Sequence, residues 1–458
     1  MTGRVVVVGA GVAGLAAAYR LSRADSSLEL TVLEAEPDVG GRLRSLRVGA
    51  LELEAGPDSF VARKPWAVDL CRELGLELVA PAAEGAFVWT ARGLERLPQT
   101  ALGVPAGAAA LARWPGLSRR ARARGLVDLV RRPRRQIGDE ALGALLRRRL
   151  GDEVTEALVA PLLAGLFAGD VDRLGVGVTF PELAAWERDV GSLLRGAAAA
   201  LAGADGAGPM FLRPTGGVAK LPAALAGVLG AERIRTSTEA TGLVRGGSDF
   251  VVRTTAGDVP AISVVLATPA FAAARLVADM APEAAAELDA VPYASTGVAL
   301  LVYAEGTGDA LPVATGFVVP SGRAPMTAAT FLSRKWPDPA FEGRAVLRCF
   351  VGADGFEDVL DAPDEEIVEA VARHLAALLP LPERPETFAM VRWPRSMPQY
   401  LVGHRERVAR IEAALPAGIV VAGNAYGGVG VADTVRSAGE AAERALAHLA
   451  DRGTERVR

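Results

Sequence analysis

An unbroken apolar run, Val5, Val6, Val7 and Val8, stops at a glycine turn near the start of the chain. A β-branched run without polar alternation reads as a parallel strand buried on both faces, and the Ala- and Leu-rich stretch from Val12 reads as a helix. A second strand is expected at 28–33 and a hairpin-like pair of strands at 46–54. From about 65 to 200, apolar residues recur mostly at helical spacing, as in 66–74, 141–150 and 153–166, punctuated by Pro81, Pro98, Pro105 and Pro115. An Ala/Gly/Asp stretch at 198–209 reads as a loop. Beyond Phe211 the strand pattern returns. Gly216 and Gly217 open a helix to Leu229, and strands follow at 234–237, 240–245, 250–255 and 263–266. Longer strands are expected at 297–303, 316–320, 326–331 and 345–351, then a helix at 365–378 and irregular chain at 393–404. A buried strand at 419–423 and a helix at 433–449 come last.

The first turn carries chemistry. Gly9, Ala10, Gly11, Val12, Ala13 and Gly14 lie between strand and helix, and Glu34 ends the next strand twenty residues beyond Gly14. Gly9 permits a tight turn, Gly11 lets the backbone approach a pyrophosphate, and Gly14 lets helix pack on strand. The helix N-terminus offers free N–H groups to phosphate, and the acid suits ribose hydroxyls. Asp38, Val39, Gly40, Gly41 and Arg42 then form a second glycine turn that ends in a guanidinium fork matched to phosphate oxygens. An NAD site does not require this turn, so the spacing points to FAD. Near the C-terminus Gly427, Gly428, Val429 and Gly430 lead into the final helix, but no further strand with an acid follows. That glycine turn therefore reads as a helix N-terminus aimed at the first cofactor, where it favours negative charge on a reduced flavin. One dinucleotide fingerprint instead of two points to an oxidase.

At 458 residues two or three domains are expected, and an apolar content of 50% supplies ample core for a soluble protein. No apolar stretch is long enough to span a bilayer, and the first strand starts too early for a signal peptide, so cytoplasm is the expected location. With only Cys71, Cys349, His374, His404 and His448, neither a disulfide framework nor a metal site is expected. A net charge of −4 argues against nucleic-acid binding. Lysines are confined to Lys64, Lys220 and Lys335, whereas nine Arg and a single acid, Asp128, lie between Arg113 and Arg135, with Arg147, Arg148 and Arg149 soon after. Most of these arginines read as a solvated helical face, although an acidic membrane surface or a polyanionic substrate would also suit them.

Five further segments carry a family likeness: Gly56-Pro57-Asp58-Ser59-Phe60, Leu166-Phe167-Ala168-Gly169-Asp170, Lys335-Trp336-Pro337, Met397-Pro398-Gln399-Tyr400-Leu401-Val402-Gly403-His404 and Gly427-Gly428-Val429-Gly430-Val431-Ala432-Asp433. With the dinucleotide turn they resemble the FAD-dependent porphyrinogen oxidases of haem biosynthesis, the coproporphyrinogen III and protoporphyrinogen oxidases of the soluble Gram-positive and actinobacterial type. These belong to the monoamine-oxidase-like flavoproteins. The resemblance implies an α/β fold: a Rossmann-like FAD-binding domain from 1–65, 205–275 and 412–458, a helical insertion at 85–175, and a mixed-sheet substrate domain from 66–84, 176–204 and 276–411. It places FAD contacts on Gly9 to Gly14, Glu34, Ala35, Gly41, Arg42, Gly56, Pro57, Asp58, Ser59, Ala240, Trp393, Val429, Gly430 and Val431. Relatives usually carry Val where this chain has Ala240.

The resemblance also implies an activity: oxidation of coproporphyrinogen III to coproporphyrin III, with hydride leaving meso carbons for flavin N5 and O2 as final acceptor. Little acid–base machinery is needed, so no catalytic side chain is assigned, and backbone carbonyls near Ala168 and Gly169 are the expected pyrrole N–H acceptors. Carboxylates entering a cavity need cationic partners. Arg63 and Lys64 are the first choices for the propionates, and His404 is the second. Peripheral membrane contact and hand-over of product to the next haem-pathway enzyme are the expected associations. Protoporphyrinogen IX oxidation is the alternative activity. An amine oxidase, a carotenoid desaturase and a non-catalytic binder resembling the Rab GDP-dissociation inhibitors are more remote.

Overall fold

The computed structural model describes residues 3–134, 138–203, 208–247 and 249–455. Arg135 and residues 204–207 of the expected loop lie outside the described residues. The valine run forms the strand Arg4–Val8 at the centre of a five-stranded parallel sheet. Across the sheet the order is Ile234–Arg235, Glu29–Leu33, Arg4–Val8, Ser263–Leu266 and Ile419–Val421, so the chain leaves this sheet for others and returns three times. Alternate side chains explain the continuous apolar run. Val5 and Val7 enter the core formed with the helices Val12–Ala24, Pro65–Glu73, Lys220–Leu229 and Val431–Glu455. Val6 and Val8 enter the opposite core, with the strands Ala240–Gly246 and Asp249–Thr254 and the helices Ala270–Val277 and Pro282–Asp289.

A second, seven-stranded sheet runs Thr387–Pro398, Tyr293–Val302, Val346–Val351, Met326–Phe331, Gly316–Val318, Phe87–Thr90 and Gly93–Arg96. Its pairs are antiparallel except Gly316–Val318 with Phe87–Thr90. Ala299, Leu301, Leu347 and Cys349 face a core shared with the helix Asp364–Ala376. From the other face Val298, Leu300 and Val346 meet the hairpin Ser45–Val48 and Leu51–Glu54. A layer of short helices from Ala108–Arg113 to Leu193–Ala202 has its own core around Leu145, Leu158 and Leu194.

Four sequence expectations need correction. The stretch 65–200 is not helical throughout: Leu78–Val79, Phe87–Thr90, Gly93–Arg96, Thr100–Ala101 and Val104–Pro105 are strands. Phe87 to Thr90 combines aromatic and β-branched residues, and Gly93 closes its hairpin at a φ of 106°. Residues 198–202 continue a helix, Leu193–Ala202, as an alanine run favours. Residues 393–398 complete the strand Thr387–Pro398, whose prolines are tolerated because it lies at the sheet edge. Finally, Arg149 is not solvated. It is fully buried, with Nε on Asp128 Oδ1 at 2.5 Å and Nη2 on the carbonyls of Asp128 and Gly191.

Candidate active site

The parallel sheet, the seven-stranded sheet and the helical layer enclose one large cavity of about 1880 Å³. Its first wall is the glycine turn. Gly9 adopts a φ of 103°, and a Cβ on Gly14 would lie 1.8 Å from the Gly9 carbonyl oxygen, so Gly14 is fixed by packing. Gly11 is different. It caps the helix Val12–Ala24 at a φ of −70°, and a Cβ there would meet nothing within 4 Å, so its backbone borders open space in the cavity wall. Ala10 and Gly14 do not line the cavity. The Ala10 N–H donates to Glu34 Oε2 at 2.6 Å, and Glu36 N–H donates to the other oxygen at 3.0 Å, which holds Glu34 at the cavity edge. Ala35, Gly41 and Ala240 line the same region.

Arg42 supplies the wall's positive charge. Burial lowers the pKa of its guanidinium, Tyr293 is nearby, and no acid pairs with it among the described residues. A buried cation without an acid, beside an open glycine cradle and a helix N-terminus, fits a phosphate-bearing group. The residues therefore suit a dinucleotide.

At the far end of the chain, Gly423 and Gly428 take φ values of 130° and 144° before the helix Val431–Glu455, and Val429, Gly430 and Val431 line the cavity. Tyr400 pins this turn: its hydroxyl donates to the Asn424 carbonyl at 2.6 Å and accepts from Gly428 N–H at 2.8 Å. The hydroxyls of Tyr426 and Thr268 are buried in the cavity wall with no partner among the described residues.

The segment Gly56, Pro57, Asp58 and Ser59 forms a third wall and is fastened almost residue by residue. A Cβ on Gly56 would lie 2.0 Å from the Arg42 carbonyl oxygen, so this loop rests directly on the second glycine turn. Trp393 Nε1 donates to the Ala55 carbonyl at 3.0 Å, and Arg348 Nη1 donates to the Gly56 carbonyl at 2.6 Å. Asp58 accepts from Lys335 Nζ at 3.1 and 3.0 Å and from Trp336 Nε1 at 3.0 Å, and Arg348 Nη2 lies 3.2 Å away. Burial alone would raise the Asp58 pKa, but Arg348 and Lys335 hold it well below the usual carboxylate range. Sequence reasoning gives no role to Arg348, and none to Tyr400 or Lys335 beyond their motifs. An Arg inside an apolar strand, Val346–Val351, was the available signal for Arg348.

Among the four residues expected to meet substrate, the structure brings only Lys64 to the cavity. Its Nζ donates to both Asp433 oxygens, at 2.8 and 2.6 Å. Arg63 is exposed and outside the lining, because the chain turns into the helix Pro65–Glu73 beside it. Gly169 is buried behind the wall, where a Cβ would meet Gln399 Oε1 at 2.4 Å. Its neighbour Ala168 lines the cavity, but the Ala168 carbonyl accepts from Asp354 N–H at 2.8 Å. His404 is in the core, stacked on Tyr400 with ring centroids 4.2 Å apart and Nε2 2.9 Å from the Ala425 carbonyl oxygen. Burial depresses its pKa to about 4, so it is a neutral packing residue and cannot serve as a propionate cation. Among the described residues no three His, Cys, Asp or Glu side chains are grouped to hold a metal, and no helix is long and apolar enough to cross a membrane.

The family model for flavin-containing amine oxidoreductases matches residues 12–446. The chain belongs to that family. It is similar to the coproporphyrinogen III oxidase of Bacillus subtilis, at 32% identity over 97% of this chain and 98% of that protein. It is also similar to that of Mycobacterium tuberculosis, at 34% identity over 95% of each. Among solved structures, one from Exiguobacterium sp. 255-15, provisionally assigned as a protoporphyrinogen oxidase, superposes with a TM-score of 0.86. That pair is 31% identical over 98% of this chain and 99% of the other.

Proposed function

We propose that this protein is an FAD-dependent coproporphyrinogen III oxidase. The observation that carries the reading is full-length likeness to coproporphyrinogen III oxidases from separate bacterial genera. The cavity supports it: about 1880 Å³ is roughly twice the upper end of ordinary small-molecule sites, room for a dinucleotide and a second large, flat ligand. When bound, FAD supplies hydride acceptance at N5, with O2 as the onward acceptor.

The chain's own groups bind and orient. The backbone at Gly9, Gly11, Val12, Ala13 and Gly41, with Arg42, holds the pyrophosphate, while Glu34 and Ala35 serve the adenosine end with Ala240. The loop at Gly56 to Ser59, Trp393 and the turn at Val429 to Val431 position the flavin. Segments 1–65, 205–275 and 412–458 thus form the cofactor domain. The seven-stranded sheet presents Thr296, Val298, Thr327 and Phe350 as an uncharged stretch of floor for the macrocycle. Lys64 is the cation offered to a propionate, exchanging Asp433 for the substrate. We assign no cavity side chain as a general base, since the reaction releases its proton from a pyrrole nitrogen. Cytoplasmic location and hand-over of product to a haem-pathway partner are parts of the same proposal.

Aerobic turnover tests it. Porphyrin fluorescence and peroxide should rise together with coproporphyrinogen III, and kcat/KM should exceed that for protoporphyrinogen IX. A faster protoporphyrinogen reaction would favour the alternative activity.

A further inference from the structure

The loop at Gly56 to Ser59 is held by residues almost three hundred positions away: Arg348 reaches the Gly56 carbonyl, while Lys335, Trp336 and Arg348 converge on Asp58. Two cations thus meet one buried carboxylate. Lys335 is only 8% exposed and lies 5.4 Å from the ring centroids of both Phe211 and Trp336, so its ammonium is kept in a costly setting. All three of its protons have acceptors, namely Asp58 Oδ1, Asp58 Oδ2 and Ser59 Oγ at 3.3 Å, which leaves none for a substrate carboxylate.

The local charge does not cancel. Lys335, Arg348 and Arg213 stand against Asp58 and Glu54, three cations to two acids. Arg213 stacks on Trp336 with Cζ 4.3 Å from the ring centroid. Asp338, the other acid acting on Arg213, is exposed and screened by water. One Glu54 oxygen accepts from Val218 N–H at 2.6 Å while the other is buried without a partner, and burial raises the Glu54 pKa, which weakens its share of the negative charge.

We propose that Lys335 is a positioning residue for the flavin, acting through Asp58. It fixes the Gly56 to Ser59 loop and leaves that wall with a net positive charge that favours the reduced, more negative cofactor. The proposal deepens the FAD reading and rests on it. Removing the charge lowers the flavin midpoint potential and kcat, and leaves KM for the porphyrinogen within about twofold because Asp58 and Ser59 take all the Lys335 protons.

The test is dye-equilibration of FAD-loaded wild type, Lys335→Met, Lys335→Arg and Trp336→Phe, with the FAD dissociation constant of each apoprotein measured beside it. Lys335→Met should titrate at a lower potential, Lys335→Arg should recover most of the wild-type value, and Trp336→Phe, which removes the neutral donor and keeps an aromatic ring beside Arg213 and Lys335, should stay near wild type. Should Lys335→Met not fold, Lys335→Gln is read in the same way. A flavin that binds normally in Lys335→Met at unchanged potential would overturn the proposal, as would an equal shift in Trp336→Phe. Wild-type protein that takes up no FAD would instead overturn the underlying cofactor reading.

Discussion

Lys64 and Asp433 meet across nearly the whole chain, with Lys64 Nζ donating to both carboxylate oxygens at 2.8 and 2.6 Å. The pair ties the start of the helix Pro65–Glu73 to the first turn of Val431–Glu455, where an acid also complements the positive end of the helix. Lys64 is 46% exposed and Asp433 11%, so the pair contributes little to stability but puts a cation at the cavity wall.

Lys64→Met is therefore expected to cost less than about 1 kcal/mol of stability. Its effect should appear in KM, raised several-fold for coproporphyrinogen III and less for the two-propionate substrate. Arg63→Gln, outside the cavity, should leave both KM values unchanged. Steady-state kinetics with the two substrates separate these positions; equal effects of Lys64→Met on both would reject propionate binding.

The two glycines of the first turn should respond oppositely to one methyl group. Gly11→Ala meets open space at an ordinary φ, so the protein should melt as wild type does, while its Kd for FAD rises about tenfold or more. Gly14→Ala drives a Cβ into the Gly9 carbonyl and should cost upwards of about 1–3 kcal/mol. Apoprotein melting beside FAD titration distinguishes a cofactor contact from a packing requirement.

His404 makes stability pH-dependent. Folded, its pKa is held down to about 4 against 6.5 for the free side chain, so the unfolded chain binds more protons between these values. The stabilisation is present in full above about pH 6.5 and is lost as pH falls toward 4, about 3 kcal/mol in all. Denaturant melts of wild type and His404→Phe should diverge in slope across that window; parallel curves would show that His404 is not buried neutral.

Arg149→Met should destabilise the helical layer by about 3–5 kcal/mol, because it leaves Asp128 buried without its cation, and should leave the Kd for FAD unchanged. Circular dichroism melts and FAD titration of the variant read the two effects independently.

Local chemistry explains which features were legible in the sequence. Val5 to Val8, Gly9 to Gly14, Glu34 and Arg42 announce a dinucleotide turn because each requirement is met within forty residues of chain. The strands at 87–96 form a local hairpin inside a stretch that otherwise has helical spacing, and the strand that joins this hairpin to its sheet, Gly316–Val318, lies more than two hundred positions away. Arg149 looked like a surface cation because nothing near it in sequence reveals that Asp128 and the Gly191 carbonyl converge on it. His404 differs: its stacking partner Tyr400 is four residues away, but only the fold shows that both rings are buried and that the Ala425 carbonyl meets the imidazole. The Asp58, Lys335 and Arg348 group is a tertiary construction, visible only once the seven-stranded sheet is laid against the cofactor wall.

The most direct test of the central claim is anaerobic titration of the FAD-loaded protein with coproporphyrinogen III, followed at the flavin absorbance. The bound flavin should bleach, porphyrin should appear in proportion, and the yellow colour should return with peroxide release when air is admitted. A flavin that stays oxidised with coproporphyrinogen III, or one that bleaches faster with protoporphyrinogen IX, would contradict that claim.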